Sequence, residues 1–160
     1  MANSLAPSAT QRWHKWVEEH PVGGFAVIGL IATQLGTYFG YCFQAIGLPQ
    51  LPWPAYNGAL IGGAGTWGSP ISQYFAGQSM HFVNGIVFCI LFGVIAHKAI
   101  PVANHVVKGL IYGVIMTIIS IGFLVPYAYA PKQGYGLFSF DTPNGWKLPA
   151  GVLLWHLIYG

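Results

Sequence analysis

The pattern along the chain opens polar and then turns apolar for most of its length. About twenty mixed and polar residues precede the first long apolar run, and between Glu19 and Lys98 there is no Asp, Glu, Lys or Arg. Within the opening stretch, "RWHKWVEEH" predicts a short amphipathic helix with Trp13, Trp16 and Val17 on one side. Tryptophan beside basic residues suits a bilayer interface, so residues 1–22 read as an interfacial segment. Pro21 and the pair Gly23-Gly24 then predict a break before the membrane domain, residues 23–160.

Four apolar segments follow. Residues 23–47, 80–99 and 108–130 are each long enough to cross a hydrocarbon core of about 30 Å at about 1.5 Å per residue. The third has Pro126 near its end, where a kink or stop costs little. A fourth helix is predicted from Pro149, a residue suited to a first helical turn, and it is still apolar at Gly160. Its reach of about 18 Å is short of a crossing, so the fourth span reads as truncated. Segment 48–78 is uncharged but interrupted by Pro49, Pro52, Pro54 and Pro70 and by glycines and serines. Lipid-exposed backbone cannot leave its polar groups unpaired, so this reads as an outer loop with a half-helix or re-entrant turn around 56–66. The expected fold is all-α, a polytopic transmembrane bundle of four spans.

Composition supports that reading. The 160 residues are 54% hydrophobic and 6% charged, against about 25% charged in soluble domains. The net charge of +3 comes from scattered Lys and Arg without a basic cluster, which argues against nucleic-acid binding. No signal-peptide pattern opens the chain. Cys42 and Cys89 lie in apolar runs and read as small packing residues. Arg12, Lys15, Lys98 and Lys108 flank the first, second and third spans on one side, against Lys132 and Lys147 with Asp141 on the other. The positive-inside rule then places the N-terminus inside, in a bacterial cytoplasmic or intracytoplasmic membrane.

Small residues predict close helix contacts: Gly36 with Gly40, Gly58 with Gly62, and Gly109 with Gly113, each pair in GxxxG spacing. The contact partner, in this chain or a neighbour, is open at this point. Trp53, Tyr56, Trp67, Tyr74, Tyr127, Tyr129, Tyr135 and Trp146 fall in or beside the two outer loops and read as an aromatic belt. Thr33, Gln34, Asn84, Thr117 and Ser120 read as helix-to-helix glue.

The histidines carry the candidate chemistry. His81 and His97 bracket the second span sixteen residues apart, about 24 Å in a helix and about 160° around it. They cannot grip one metal or haem. His81 and His156 share the outer side and would meet if the second and fourth helices touch. A b-type haem needs two such ligands on different helices, and His81/His156 is the better pair. A chlorophyll or bacteriochlorophyll needs one histidine beside small residues, a role open to His81, His156 or His97. A metal site at His97 and His105 would lack carboxylates. The alternative reading makes all of them boundary residues bonded to headgroups, water or carbonyls. No span carries a charge of the kind used by pumps and ion-coupled carriers, and no nucleophile, zinc or nucleotide motif is present.

"MHFVNGIVFCILFGVI", the "GYGLF" loop and "WHLIYG" together resemble a family of uncharacterised four-helix bacterial integral membrane proteins. The likeness covers about residues 79–160. In that family the second helix opens with His-Phe, here His81-Phe82, and the fourth carries His-Leu-x-Tyr-Gly, here His156 to Gly160. The resemblance implies a fourth helix that continues past the glycine and directs attention to His81 and His156 as a pair. It implies no activity. The expected role is a non-catalytic accessory subunit that joins larger membrane subunits and lipid through its glycine-rich faces. A haem- or (bacterio)chlorophyll-binding subunit is the alternative, and a small transporter or channel is a third reading.

Overall fold

The computed structural model describes residues 6–62, 68–129 and 136–160, and every regular element among them is helical. Helix α1 is Ala9–Glu19, α2 Pro21–Cys42, α3 Trp53–Gly62 and α4 Pro70–Leu91. α4 runs on through a π-helical stretch, Phe92–Ala96, to Ala99. α5 is His105–Ile119, prolonged in π-helical form over Ser120–Tyr129, and α6 is Lys147–Tyr159. Three continuous helical stretches are long and apolar enough to cross a membrane: Pro21–Ile46, Pro70–Ala99 and His105–Ala128. α6, with 13 residues, reaches about 20 Å and is shorter than a crossing.

Proline starts these helices more than it ends them. Pro21 stands at the first turn of α2. Gly23 and Gly24, expected to break the chain, lie inside that helix instead. The pair serves as a seat for α1: a Cβ on Gly24 would meet Val17 at 2.8 Å. Pro54 falls in the first turn of α3 and Pro70 begins α4. There the missing N–H costs nothing, because the first N–H groups of a helix have no partner within it. Ser69 caps α4 by accepting from the Ser72 N–H at 3.1 Å. The second long helix therefore begins ten residues before the expected position 80, and much of segment 48–78 is helix. Pro126 lies within the π-helical stretch that continues α5, so the third span passes through it.

α4 packs on both α2 and α3, and α6 packs on α5 and α2. α2 and α4 run antiparallel, with Phe25 near the start of one beside Gly93 near the end of the other. α5 and α6 are also antiparallel, with Gly109 against Gly160. One end of the bundle thus gathers α1, the end of α4 and the start of α5, with Arg12, Lys15, Lys98 and Lys108. Toward the other end, Phe43, Leu51, Trp53, Ile121, Val152 and Trp155 form the apolar core.

In lipid, apolar surface gains little by meeting another helix, so packing and buried hydrogen bonds hold such a bundle together. Glycine makes that packing possible here. A Cβ on Gly85 would sit 1.7 Å from Thr33 Oγ1 at the α2/α4 crossing. One on Gly77 would sit 1.6 Å from the Pro54 carbonyl oxygen at the α3/α4 crossing. Of the expected small-residue pairs, Gly36 and Gly40 receive the Trp155 ring, Gly58 faces α4, and Gly109 and Gly113 face α6. These partners are within the chain. The surroundings of Gly62 lie outside the described residues.

Candidate functional site

His81 is buried on α4 and joins three helices. Its Nε2 lies 3.0 Å from Thr37 Oγ1 on α2, and its Nδ1 lies 3.3 Å from Asn57 Nδ2 on α3. The bonding fixes the proton. The Thr37 hydroxyl has one hydrogen and donates it to the Thr33 carbonyl at 2.7 Å, so it must accept from His81 Nε2–H. The Asn57 amide nitrogen can only donate, so Nδ1 holds the lone pair. His81 is a neutral imidazole with both nitrogens engaged.

His156, on α6, is equally buried. Its Nδ1 donates to the Val152 carbonyl one turn back, at 2.8 Å. A neutral ring then has its Nε2 lone pair free, and Nε2 has no hydrogen-bond partner among the described residues. Trp155 stands between the two histidines. Its ring centroid is 5.6 Å from that of His81 and 5.0 Å from that of His156. On its other side it stacks on Tyr159, whose hydroxyl donates to the Gly85 carbonyl.

His81 and His156 line one cavity of about 260 Å³ between α3, α4, α5 and α6, walled mainly by apolar groups and closed partly by Trp53, Met116 and Leu124. Asn84 also opens on it. The structure thus brings the expected pair to a common space. It does not place them as matched ligands: His81 has no free nitrogen, and the volume lies below the roughly 300–1,000 Å³ of drug-sized ligand and cofactor pockets. Of the two histidines that line the cavity, His156 alone keeps a ring nitrogen without a hydrogen-bond partner among the described residues.

His97 is remote from this site, as the helical spacing predicts. It lies at the basic end of the bundle, where its Nε2 is 2.9 Å from His105 Nδ1 and its ring stacks on that of His105. The Lys108 ammonium donates to its carbonyl. No group of three or more His, Cys, Asp or Glu side chains gathers around a point among the described residues.

Several expected roles change. Trp53, assigned to an interfacial belt, is buried in the core, whereas Tyr127 and Trp146 are exposed. Trp67, Tyr135 and the side chain of Tyr129 lie outside the described residues. Thr33 and Thr117 donate to carbonyls one turn back in their own helices, at 2.6 Å and 2.8 Å, and make no side-chain hydrogen bond to another helix among the described residues. Thr37 and Asn57, which hold His81, and Trp155 and Tyr159, which shape the cavity, were not singled out in the sequence as site residues. The signal available for the last two was their position flanking His156, one residue before and three after. No protein-family model, curated protein or solved structure matches the chain.

Proposed function

We propose that this chain is a non-catalytic accessory subunit of a larger membrane complex, with an energy-transducing or oxidative complex as the setting. The observation that carries the reading is the use made of His81. A buried histidine with both ring nitrogens engaged is spent on tying α2, α3 and α4 together through Thr37 and Asn57. A rigid scaffold of this kind presents its outer helix faces to neighbours. Those faces are apolar and exposed, with Ile31, Leu35 and Tyr38 on α2 and Phe75, Val83 and Val87 on α4. In this reading lipid and larger subunits cover them, α3 dips into the bilayer without crossing, and α6 supplies the fourth transmembrane segment. The clustering of Arg12, Lys15, Lys98 and Lys108 at one end supports an N-terminus inside a bacterial cytoplasmic membrane. The likeness to four-helix bacterial membrane proteins points the same way.

The test is gentle extraction from the native membrane followed by native electrophoresis and mass spectrometry of the excised band. Migration in fixed proportion with larger membrane subunits is expected. Migration of the chain alone, at its own mass plus lipid, would overturn the reading. The tetrapyrrole alternative rests on His156, the histidine with a nitrogen open to the cavity. An absorption band in the same sample that vanished in His156→Leu would establish it in place of the colourless scaffold.

A further inference from the structure

The cavity beside His156 adjoins a second feature. α4 packs on α2 and α3, while α5 packs on α6, and α4 and α5 meet along a seam. Tyr112 bridges it by donating to the Phe88 carbonyl at 2.8 Å. An apolar groove of about 300 Å³ lies along the same seam, lined by Leu91, Ile95, Ile115 and Ile119. Phe88 and Met116 line both the groove and the cavity. The two spaces therefore adjoin across Phe88 and Met116, the groove apolar and the cavity polar at its His156 end.

Polar groups at that end are unspent, among them the Trp155 indole N–H, which is buried without a partner among the described residues. His156 is 6% exposed, and its Nε2 has no partner among the described residues. The Asn84 carboxamide has none either. A buried acceptor left without a hydrogen costs free energy that a ligand can recover. His156 Nε2 calls for a donor, and Asn84 supplies both a donor and an acceptor. A hydroxyl is a neutral group that serves both. Among the described residues no charged side chain lines the cavity, so a charged headgroup would be buried without a counter-ion from them. A cavity of about 150 Å³ holds benzene, so 260 Å³ holds a substituted single ring, and Trp53, Trp155 and Phe88 offer it aromatic walls.

We propose that the cavity between α3, α4, α5 and α6 binds the hydroxylated ring of a neutral, single-tailed amphiphile, a phenol or hydroquinone, whose tail lies in the α4/α5 groove and which enters sideways from the lipid. The hydroxyl donates to His156 Nε2, and Asn84 holds the polar edge. This goes beyond the scaffold role and stands or falls separately from it, because it concerns the chain alone.

The experiment is native mass spectrometry of the purified full chain released from detergent micelles, titrated with 4-nonylphenol and with its methyl ether, which has the same tail and ring but no donor. A one-to-one adduct is expected with the phenol, and affinity lower by about tenfold or more with the ether, the cost of one buried hydrogen bond left unmade. His156→Leu should bring the phenol down to the level of the ether with helical content unchanged, since the Val152 carbonyl keeps its helical bond. Asn84→Val, the second variant, should weaken the phenol should His156→Leu fail to fold. Equal binding of phenol and ether, binding in many copies without saturation, or a phenol affinity untouched in the folded variants would each overturn the proposal.

Discussion

At the scale of single residues, the decisive fact is where one proton sits. Thr37 gives its only hydrogen to the Thr33 carbonyl, so His81 must give Nε2–H to Thr37. Removing the acceptor leaves a buried N–H with no partner. Thr37→Val keeps the side-chain shape, so its cost isolates the hydrogen bond. An orphaned buried donor costs about 1–3 kcal/mol, whereas polar contacts between membrane helices are worth about 0.6 kcal/mol on average. The variant should therefore lose more stability than the average interhelical bond supplies, read as a lower midpoint in thermal unfolding of the purified protein. His97→Ala, at the basic end, removes a partly exposed pair with His105 and should stay within about 0.5 kcal/mol of the parent. A Thr37→Val protein as stable as His97→Ala would mean that the His81 bonds do not hold α2 to α4. Neither partner of His81 was legible in the sequence. Thr37 is 44 residues from it and Asn57 24 residues, and no local period links such positions. Only the bundle brings them to one point.

At the scale of elements, the apolar runs told where helices cross and said little about where they start. Runs of this length have few folded alternatives in lipid, since every backbone group must be paired within the segment. The ends depended on proline, which reads as a breaker inside a helix and as a starter in its first turn. In segment 48–78 the starter role holds, for Pro54 in α3 and Pro70 in α4. The glycines were legible as a class, yet two of the tightest approaches, Gly77 and Gly85, fell outside the GxxxG pairs because each meets a neighbour of a different kind. Gly77 faces backbone, the Pro54 carbonyl, which cannot swing aside as a side chain can. Gly77→Ala should therefore separate α3 from α4 and lower the thermal midpoint sharply, with a loss of helical signal on milder heating. Gly151→Ala is the control. Its Cβ would meet its nearest neighbours at 3.7 Å or more, and alanine gains up to about 1 kcal/mol over glycine within a helix. Circular dichroism of both variants in the same detergent decides the matter. Equal midpoints would mean that α3 does not rest on α4 as closely as the 1.6 Å approach requires.

At the scale of the whole molecule, the antiparallel packing sorts the connections onto two ends. The residues before α1 and the turn between α4 and α5 belong to one end, with the basic side chains, and the turn before α6 belongs to the other. Three crossings require this alternation regardless of which end is cytoplasmic. Single cysteines at Ala6, Ala103 and Asn144, all exposed positions, would report it in a background with Cys42→Ala and Cys89→Ala. With a maleimide that cannot cross the membrane, Asn144→Cys should be labelled in intact cells, while Ala6→Cys and Ala103→Cys react only after permeabilisation. Labelling of Ala6→Cys and Ala103→Cys alone would keep the three crossings and invert the orientation, against the charge asymmetry. Labelling of Ala6→Cys and Ala103→Cys on opposite sides would be incompatible with α2 and α4 both crossing as an antiparallel pair. The hydrogen bond of His81 to Thr37 could not then span the α2/α4 interface, because the two helices would not share a depth. The sidedness of three surface positions is in this way a test of the buried site.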